Sequence, residues 1–422
     1  MSAPATVLEP LTMDRRPASL ATVRERFPIL ARRIGEHRLV YLDTAATALK
    51  PAAVIEALAH HYQTHDGGAH RGIHTLASEA TEAYEQGRAR VARWLGVPFP
   101  DGVVVTRNAT AALNLVARGS EHRLKAGDEV LLTEMEHHAN LVPWLQLAAR
   151  TGIVLRFIPI TERGTLELAS LPALLGARTR LVSLAHVSNV LGTINPVAEI
   201  AEAAHRVGAL VLVDAAQSVG HMPVSLGELG ADLLAFSAHK AYGPAGLGWL
   251  VGRPEILAEL EPVESGGQMV SEVHFDRATW AELPWRLEAG TADVAAVAAF
   301  VPAMDLLDEL GLGAVRRHEL RLLDHAWRQL QALGGLRLLG PPEPAARGAA
   351  LSFHDPRLHP HDLATVLDTQ GVAVRAGHHC AQPLHRKLGL SATVRASFGV
   401  YSTLDDVEAL VEGIRMARRL LS

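Results

Sequence analysis

The stretch RAGHHCAQP, residues 375–383, contains the only cysteine of the 422-residue chain, Cys380. A single thiol cannot close an intrachain disulfide, so Cys380 is a buried apolar side chain, a metal ligand, a nucleophile or an intermolecular link. A zinc site fits poorly, because His378, His379, Cys380 and His385 lack the paired spacing of structural zinc ligands. Whether Cys380 is a reactive thiol therefore depends on the chemistry that the rest of the chain provides.

Two charged residues directly follow consecutive apolar runs. ALVLVD ends in Asp214, and DLLAFSAHK places Lys240 just after the next run. A carboxylate at the end of a buried strand is costly unless a cation or several donors meet it, so Asp214 needs a positive partner. The alternative interpretation of Lys240 is a solvated surface charge, but the glycines and the proline that follow it predict a tight turn there. Ligands of open α/β sheets bind beyond the carboxyl ends of strands, so both residues are candidates for a ligand site.

Hydroxyl and imidazole side chains also follow apolar runs of the sequence. Thr110 follows the run VVVT where a helix begins, and it either binds a phosphate or caps the helix. His137 and His138 follow the run EVLLT at a loop-to-helix junction, with an exposed surface pair as the alternative. Ser237 and His239 immediately precede Lys240 and are both able to bind phosphate.

This combination fits pyridoxal 5'-phosphate better than any other cofactor. That cofactor needs a lysine for its Schiff base, a carboxylate against the pyridine nitrogen, donors for the phosphate and a flat group against the ring. A nucleotide site explains less, since no GxGxxG follows the first apolar run and no GxxxxGK[ST] occurs. The order Asp214 then Lys240, at neighbouring strand ends, is typical of a fold-type I pyridoxal enzyme.

The elements that must position these residues alternate along the middle of the chain. Between Val103 and Gly252, short runs rich in Val, Ile and Leu alternate with longer amphipathic segments. This pattern predicts an α/β fold with a doubly wound, mostly parallel sheet buried on both faces. Pro196 and Gly208 mark the start and stop of one crossover helix. The seven runs span residues 103–106, 129–133, 154–160, 180–187, 209–214, 232–237 and 246–251.

After about Asp293 the pattern changes to two long helical segments that end near Leu333. A helix opening at His361 and a closing helix capped by Thr403 then alternate with apolar runs, which are LRLLG, AALSFH, VAVRA and VRASFGV. This arrangement predicts a smaller α+β domain. We expect the division to be a disordered tail at 1–18, a large cofactor-binding α/β domain at 32–292, and a small domain made of 19–31 and 293–422 with the reactive cysteine.

Composition excludes two classes of partner. The chain has 48% hydrophobic residues, 20% charged residues and a formal net charge of -5, which indicates a globular protein with a large core. No block of Lys and Arg interleaves with aromatic residues, so we expect no nucleic-acid partner. The longest apolar stretch, Val294 to Met304, is far shorter than the roughly 20 residues of a membrane span. The N-terminus lacks the apolar core of a signal peptide, so we expect a cytoplasmic protein.

Eight motifs occur in the order, and at about the spacings, of the group II (SufS-like) cysteine desulfurases, and the chain resembles this family from about Arg24 to its C-terminus. The family has the class V aminotransferase fold, a fold-type I pyridoxal-dependent transferase, and is related to selenocysteine lyases. The chain departs from the usual pattern at Ala109, Ala238 and Ala245. The motifs are YLDTAATALKP, HRGIHTL, EHHANLVPW, HVSNVLGTINP, VDAAQS, FSAHKAYGP, WRLEAGT and RAGHHCA.

The resemblance implies roles around the cofactor ring. Lys240 would form the Schiff base and, once displaced by substrate, carry the Cα proton. Asp214 would keep the pyridine nitrogen protonated so that the ring can accept electrons. Gln217 would hydrogen-bond the phenolic oxygen of the ring, and His137 would stack on the ring face.

The resemblance also implies roles at both ends of the site. Thr110, Ser237 and His239 would bind the phosphate, and Thr291 would reach the site of the partner subunit in a homodimer. Asn189, beside the cofactor, would clamp the substrate carboxylate together with Arg395, whose guanidinium suits bidentate binding. The remaining family positions, His74 and Arg375, would line the active site.

On this reading, Cys380 attacks the sulfur of a cofactor-bound L-cysteine, becomes a persulfide and leaves L-alanine. The sulfur would serve iron-sulfur cluster assembly, through a small acceptor protein of the SufE or SufU kind. L-selenocysteine is the alternative substrate. A different class V aminotransferase or lyase would share Lys240 and Asp214 without using the thiol. A non-catalytic scaffold or metal-binding partner in sulfur trafficking would need none of the three residues.

Overall fold

The computed structural model describes residues 19–70 and 72–421, so the prediction of a disordered tail at 1–18 lies outside the described residues. The strands are β1 (Arg33–Ile34), β2 (His37–Arg38), β3 (Val40–Tyr41), β4 (Val103–Thr106), β5 (Glu129–Thr133), β6 (Val154–Ile158), β7 (Thr179–Ala185), β8 (Leu210–Asp214), β9 (Leu233–Ser237), β10 (Gly248–Gly252), β11 (Val270–Val273), β12 (Ala278–Trp280), β13 (Arg337–Leu338), β14 (Ala350–His354), β15 (Val372–Ala373), β16 (Arg375–Gly377) and β17 (Thr393–Ser397). The α-helices are α1 (Ala52–Thr64), α2 (Thr75–Trp94), α3 (Ala109–Gly119), α4 (Val142–Thr151), α5 (Leu171–Leu174), α6 (Val197–Arg206), α7 (Pro254–Leu257), α8 (Val294–Leu310), α9 (Leu312–Ala332), α10 (Pro360–Thr369), α11 (Gln382–Lys387) and α12 (Leu404–Leu421).

All seven predicted apolar runs are strands of one sheet. Within the described residues, the strand order is β4-β10-β9-β8-β7-β5-β6, and neighbours are parallel except that β10 runs antiparallel to both β4 and β9. Side chains of β8 alternate between two apolar cores, with Val211 and Val213 on one face and Leu212 on the other. The prediction of a doubly wound, mostly parallel sheet buried on both faces is confirmed.

A second sheet follows the two long helices α8 and α9. In the described part of the chain its order is β13-β14-β17-β16, and all three pairings are antiparallel. Its apolar side chains, Phe353 and Val394 among them, share a separate core with α9, α10 and α12. A smaller α+β unit therefore exists, while the proposed domain boundaries stay a prediction.

The apolar run VAVRA predicts a single strand, and this prediction is wrong. The run breaks at Val374, so that β15 pairs in parallel with β3 and β16 pairs antiparallel with β17. The two halves have different partners, because β15 pairs with β3, which lies in the N-terminal part of the chain. Local sequence does not encode a contact between segments so far apart. The break places Arg375 opposite Arg395 in the second sheet.

The longest apolar stretch of the sequence forms α8. This helix packs against α1 and α2 and buries both Phe300 and Met304. None of the helices within residues 19–70 and 72–421 is long and apolar enough to cross a membrane.

Polar side chains gather where parallel strands of the large sheet end. Asp214 closes β8 beside Ala185, the last residue of β7, and beside Ala235 of β9. After β9 ends at Ser237, a single 3-10 turn carries Lys240. The carboxyl ends of the strands thus bring Asp214 and Lys240 to one edge, as the sequence pattern predicts.

Gly248 lets two of these segments approach each other. It lies in β10 between Thr106 of β4 and Ser237 of β9. A Cβ atom at Gly248 would lie 2.4 Å from Cα of Asn108 and 2.5 Å from its carbonyl carbon. Only a glycine therefore permits the turn at Asn108 to close against the sheet.

We expect Gly248→Ala to lower the free energy of unfolding by about 1 to 3 kcal/mol, because the methyl group meets backbone that cannot move aside cheaply. Urea unfolding of the cofactor-free protein measures this loss. Gly176→Ala is the matched control, since nothing lies within 4 Å of its Cβ position. Equal stability of the two variants would contradict the close approach.

Candidate active site

A cavity of about 250 Å³ lies at this edge of the large sheet and reaches the second sheet. Every predicted site residue except His74 and Thr291 lines it. These lining residues are Thr110, His137, Asn189, Asp214, Gln217, Ser237, His239, Lys240, Arg375, Cys380 and Arg395.

Asp214 and Lys240 shape the electrostatics of the cavity. Burial raises the pKa of Asp214, while the charge of Lys240 and a hydrogen bond from the Ala216 amide, at 3.0 Å, act in the opposite direction. Burial lowers the pKa of Lys240, and Asp214 opposes that shift. The lowered pKa favours the neutral amine, which is the form that attacks an aldehyde. Lys240 is therefore not the solvated surface charge of the alternative reading.

Three of the lining residues, Thr110, Ser237 and His239, are suited to a phosphate site. The side chain of Asn108 caps α3 by accepting a hydrogen bond from the Ala111 amide at 2.9 Å, so Thr110 is not the cap. Ser237 accepts from the Ala109 amide at 2.8 Å and so joins β9 to the start of the helix. Thr110 lies in the first turn of α3, where the helix dipole favours an anion.

His137 presents a neutral ring to the cavity. Its Nδ1 accepts a hydrogen bond from the Ala139 amide at 3.0 Å, which leaves the proton on Nε2. Burial, followed by the charge of Lys240, lowers the pKa of His137 to about 3. A flat, uncharged imidazole held by its own backbone turn is suited to stacking on an aromatic ring.

Gln217 and His239 complete the wall around Lys240. Nε2 of Gln217 donates to the Ala45 carbonyl at 2.8 Å, and its second N–H remains for a ligand. Burial, together with the charges of Lys240 and Lys50, lowers the pKa of His239 to about 4. Both side chains therefore offer neutral polar groups at neutral pH.

The cavity lining also includes two arginines. Arg375 and Arg395 face each other on the antiparallel strands β16 and β17. Arg395 donates to the Asn189 carbonyl at 3.0 Å and to Asp43 at 3.1 Å, and its buried Nε has no partner. Like charges opposite each other repel, so the arrangement favours a bound anion such as a carboxylate.

Cys380 is exposed and lines the cavity, so it is not a buried structural cysteine. It lies in the segment between β16 and α11, and its φ of 56° is left-handed, as is the φ of 50° at His379. Among the described residues, no group of three or more His, Cys, Asp or Glu side chains is arranged to hold a metal ion.

The lining residues fit pyridoxal 5'-phosphate. An amine with a lowered pKa, a buried carboxylate, a neutral imidazole and a helix start are four groups that suit this cofactor. Lys240 would hold its aldehyde carbon, Asp214 its ring nitrogen, and Thr110, Ser237 and His239 its phosphate.

Sequence reasoning missed the loop that supports Lys240 from the N-terminal side. The carbonyl of His239, which belongs to the peptide preceding Lys240, accepts from the Ala48 amide at 2.9 Å, Lys50 Nζ at 3.0 Å and Thr47 Oγ1 at 3.3 Å. Burial lowers the pKa of Lys50 to about 8. The motif YLDTAATALKP held these residues, but nothing in their spacing indicated a partner nearly 200 positions away. Asp43, the ion-pair partner of Arg395, was missed for the same reason.

Thr291 and His74 are exposed and lie outside this cavity. His74 caps α2 by accepting from the Ala77 amide. The segment before Thr291 is anchored by Glu288, which pairs with buried Arg88 at 2.6 Å and accepts from the Val105 amide at 2.6 Å. Thr291 is thus presented on a firmly held surface segment.

Comparisons with known proteins agree on one family. The family model for class V aminotransferases matches residues 40–410. A cysteine desulfurase of Cronobacter sakazakii is 45% identical over 405 residues, covering 96% of this chain and 99% of the relative. The crystal structure of the Escherichia coli cysteine desulfurase CsdA, in its S-sulfonic acid form, superposes with a TM-score of 0.89 at 38% identity and covers 96% of this chain and 100% of that one. A C-DES variant with glycine covalently linked to its PLP cofactor has a TM-score of 0.78 at 27% identity and covers 93% and 98%.

We expect added pyridoxal 5'-phosphate, fixed by borohydride, to label Lys240, because burial lowers the pKa of this amine and so favours its neutral, nucleophilic form. Mass spectrometry of the digested protein should place the cofactor on the Lys240 peptide, and Lys240→Ala should remove the label. Lys125→Ala, a change at an exposed lysine, is the matched control. Labelling that persists in Lys240→Ala at the same stoichiometry would contradict the assignment.

Proposed function

The chain belongs to the class V aminotransferase family, among its cysteine desulfurases, and we propose that it removes the sulfur of L-cysteine, releasing L-alanine and leaving a persulfide on Cys380. The observation that carries this proposal is the presence of Cys380 and Lys240 in one cavity, with Asp214 beside the lysine. A transaminase would use the same lysine and carboxylate, but it has no use for an exposed thiol there.

Bound pyridoxal 5'-phosphate supplies an electron sink for the bonds around the substrate Cα. Asp214, at the end of β8, would hold the proton on the pyridine nitrogen. Lys240 Nζ would hold the aldehyde carbon and would carry the Cα proton of the substrate, and burial, which lowers the pKa of Lys240, favours release of that proton. His137 would cover one face of the ring and exclude water from it.

Substrate selection comes from the two arginines. Arg395, oriented by Asp43 and the Asn189 carbonyl, has a free Nε for the carboxylate of L-cysteine. Arg375 adds a second positive charge from the exposed side of the cavity. Together they place the side chain of the substrate toward Cys380.

The sulfur transfer conserves atoms and electrons. The Cys380 thiolate attacks the substrate sulfur, an S–S bond forms, the substrate C–S bond breaks, and the carbon fragment gains a proton to become L-alanine. The products are L-alanine and a Cys380 persulfide, so no external oxidant or reductant enters this half of the reaction.

The second half needs a thiol from outside the chain. Cys380 is the only cysteine, and residues 378–381 form a short connection between β16 and α11. We propose that a small acceptor protein of the SufE or SufU kind enters the site and carries the sulfur toward iron-sulfur cluster assembly. The reducing cytoplasm, where we place the protein, keeps such a free thiol available.

We also propose a homodimer in which Thr291 completes the phosphate site of the partner subunit. The Gly290 amide donates to the Gly267 carbonyl at 3.0 Å, which ties the Thr291 segment to the residues just before the hairpin of β11 and β12. Phe275 in this hairpin and Ile73 before α2 are fully exposed. We propose that the dimer interface covers these two apolar side chains.

Cys380→Ser should abolish persulfide formation and reduce L-alanine release by at least about 100-fold, because the hydroxyl cannot take over a sulfur atom. Alanine and protein-bound persulfide are measured together after adding L-cysteine with reductant limiting. Lys240→Ala is the reference for complete loss. If Cys380→Ser released alanine as fast as the unmodified protein, the thiol would not be the nucleophile.

Mixing Lys240→Ala with Thr291→Glu should restore alanine formation, because the hybrid dimer regains one site with both native residues. Each variant alone should be inactive, the second because its carboxylate repels the phosphate. The control mixes Lys240→Ala with a chain that carries both Lys240→Ala and Thr291→Glu, and this mixture cannot recover alanine formation because no site contains Lys240. A fully active monomer in sedimentation would rule out the shared site.

A further inference from the structure

His138 was expected to be either half of an exposed pair or part of a ligand site, and it is neither. Its side chain is half-buried and does not line the cavity that contains His137. It instead contacts the Cys380 segment twice. The His138 amide donates to the Cys380 carbonyl at 2.7 Å, and the His138 ring accepts a hydrogen bond at Nε2 from the Gln382 amide at 3.0 Å.

The segment that His138 contacts has a costly backbone. His379 and Cys380 have φ values of 50° and 56°, so two consecutive residues with side chains are left-handed. Such residues persist only where their surroundings hold them, since the left-handed conformation costs roughly 1 to 2 kcal/mol per residue. Contacts on both sides of the pair are therefore required to keep Cys380 facing the cavity.

One side of the pair is held by one residue that follows β7 of the large sheet and by one residue of β17 in the second sheet. Asn189 donates to the His379 carbonyl at 2.6 Å, and the His379 ring contacts Thr393 at 2.9 Å. The other side begins at Gln382, the first residue of α11, whose amide has no partner within its own helix. His138 Nε2 supplies that partner.

The protonation state of His138 suits this contact. Burial and the nearby His378 lower the pKa of His138, so its ring is neutral at physiological pH. With Nε2 accepting, the proton lies on Nδ1. The ring thus acts as an acceptor cap for α11 from a different part of the chain.

We propose that His138 is a positioning residue that clamps the left-handed turn at Cys380 and so aligns the thiol with the substrate sulfur. This inference rests on the proposed sulfur transfer and adds a specific reason for the second histidine of EHHAN. The clamp joins the loop after β5 in the large sheet to the cysteine segment after β16 in the second sheet. The His138 side chain itself does not line the cavity.

The test compares three variants as complete, cofactor-loaded protein. His138→Phe keeps a ring but has no acceptor, His138→Gln keeps an acceptor oxygen at a similar reach, and His122→Phe makes the same replacement at an exposed histidine. Two quantities are measured: the rate of alanine formation in a single turnover, and the rate at which iodoacetamide alkylates Cys380 without substrate. Cofactor absorbance and thermal midpoint report folding.

We expect His138→Phe to form alanine roughly fivefold more slowly, with an unchanged KM for L-cysteine, since one hydrogen bond to the turn is lost. Alkylation of its Cys380 should be severalfold faster, because the released turn lets the already exposed thiol move away from the cavity wall toward solvent. His138→Gln and His122→Phe should match the unmodified protein in both measurements.

Unchanged alkylation and turnover in His138→Phe would overturn the proposal, as would equal impairment in His138→Gln. Failure of the unmodified protein to make alanine would refute the desulfurase function instead. The alkylation comparison would still decide whether His138 holds the turn.

Discussion

Asp214 and Lys240 are both withdrawn from water at neighbouring strand ends, and much of the structure is organised around that constraint. Burial disfavours the charged form of each group, and each offsets part of this cost for the other. The balance requires that β8 and β9 keep their register and that the turn after β9 stays closed. The three donors that converge on the His239 carbonyl hold that turn from outside the sheet. Reactivity at Lys240 is therefore a property of the packed sheet edge rather than of the lysine alone.

The thiol belongs to a different structural unit from the lysine. Cys380 follows β16 of the second sheet, whereas Lys240 follows β9 of the first, so the reaction depends on contacts between the units. Asn189 is central to them, because its side chain holds the His379 carbonyl and its own carbonyl holds Arg395. Asn189 thereby connects the segment that carries Cys380 to Arg395, the proposed partner of the substrate carboxylate. A small displacement of the units would separate two groups that must act on the same substrate.

The parts of the fold that could be predicted share one feature, which is that their signal is local. Each strand of the large sheet is an apolar run bounded by polar or turn residues, because burial on both faces requires nearly continuous apolar sequence. The broken run at Val374 shows the limit, because the break follows from pairing with β3, more than 300 residues earlier. Asp43 and Lys50 were missed, and the contact made by His138 was not foreseen, because each of the three acts through a partner that is distant in sequence. Thr110 was correctly placed at a helix start, but Asn108 proved to be the cap.

The sequence by itself determined the chemical groups, the order along the chain of the strands that carry them, and the family to which the chain belongs. Those properties reside in residue types and in short periodic patterns, which depend on local hydrophobicity and turn preference. Only the tertiary structure decided which groups share a cavity. It also decided that His137 lines that cavity as a neutral imidazole, whereas His138 contacts the turn that carries Cys380. These outcomes depend on burial and on hydrogen bonds between segments far apart in the chain, and such distances exist only after the two sheets have packed together.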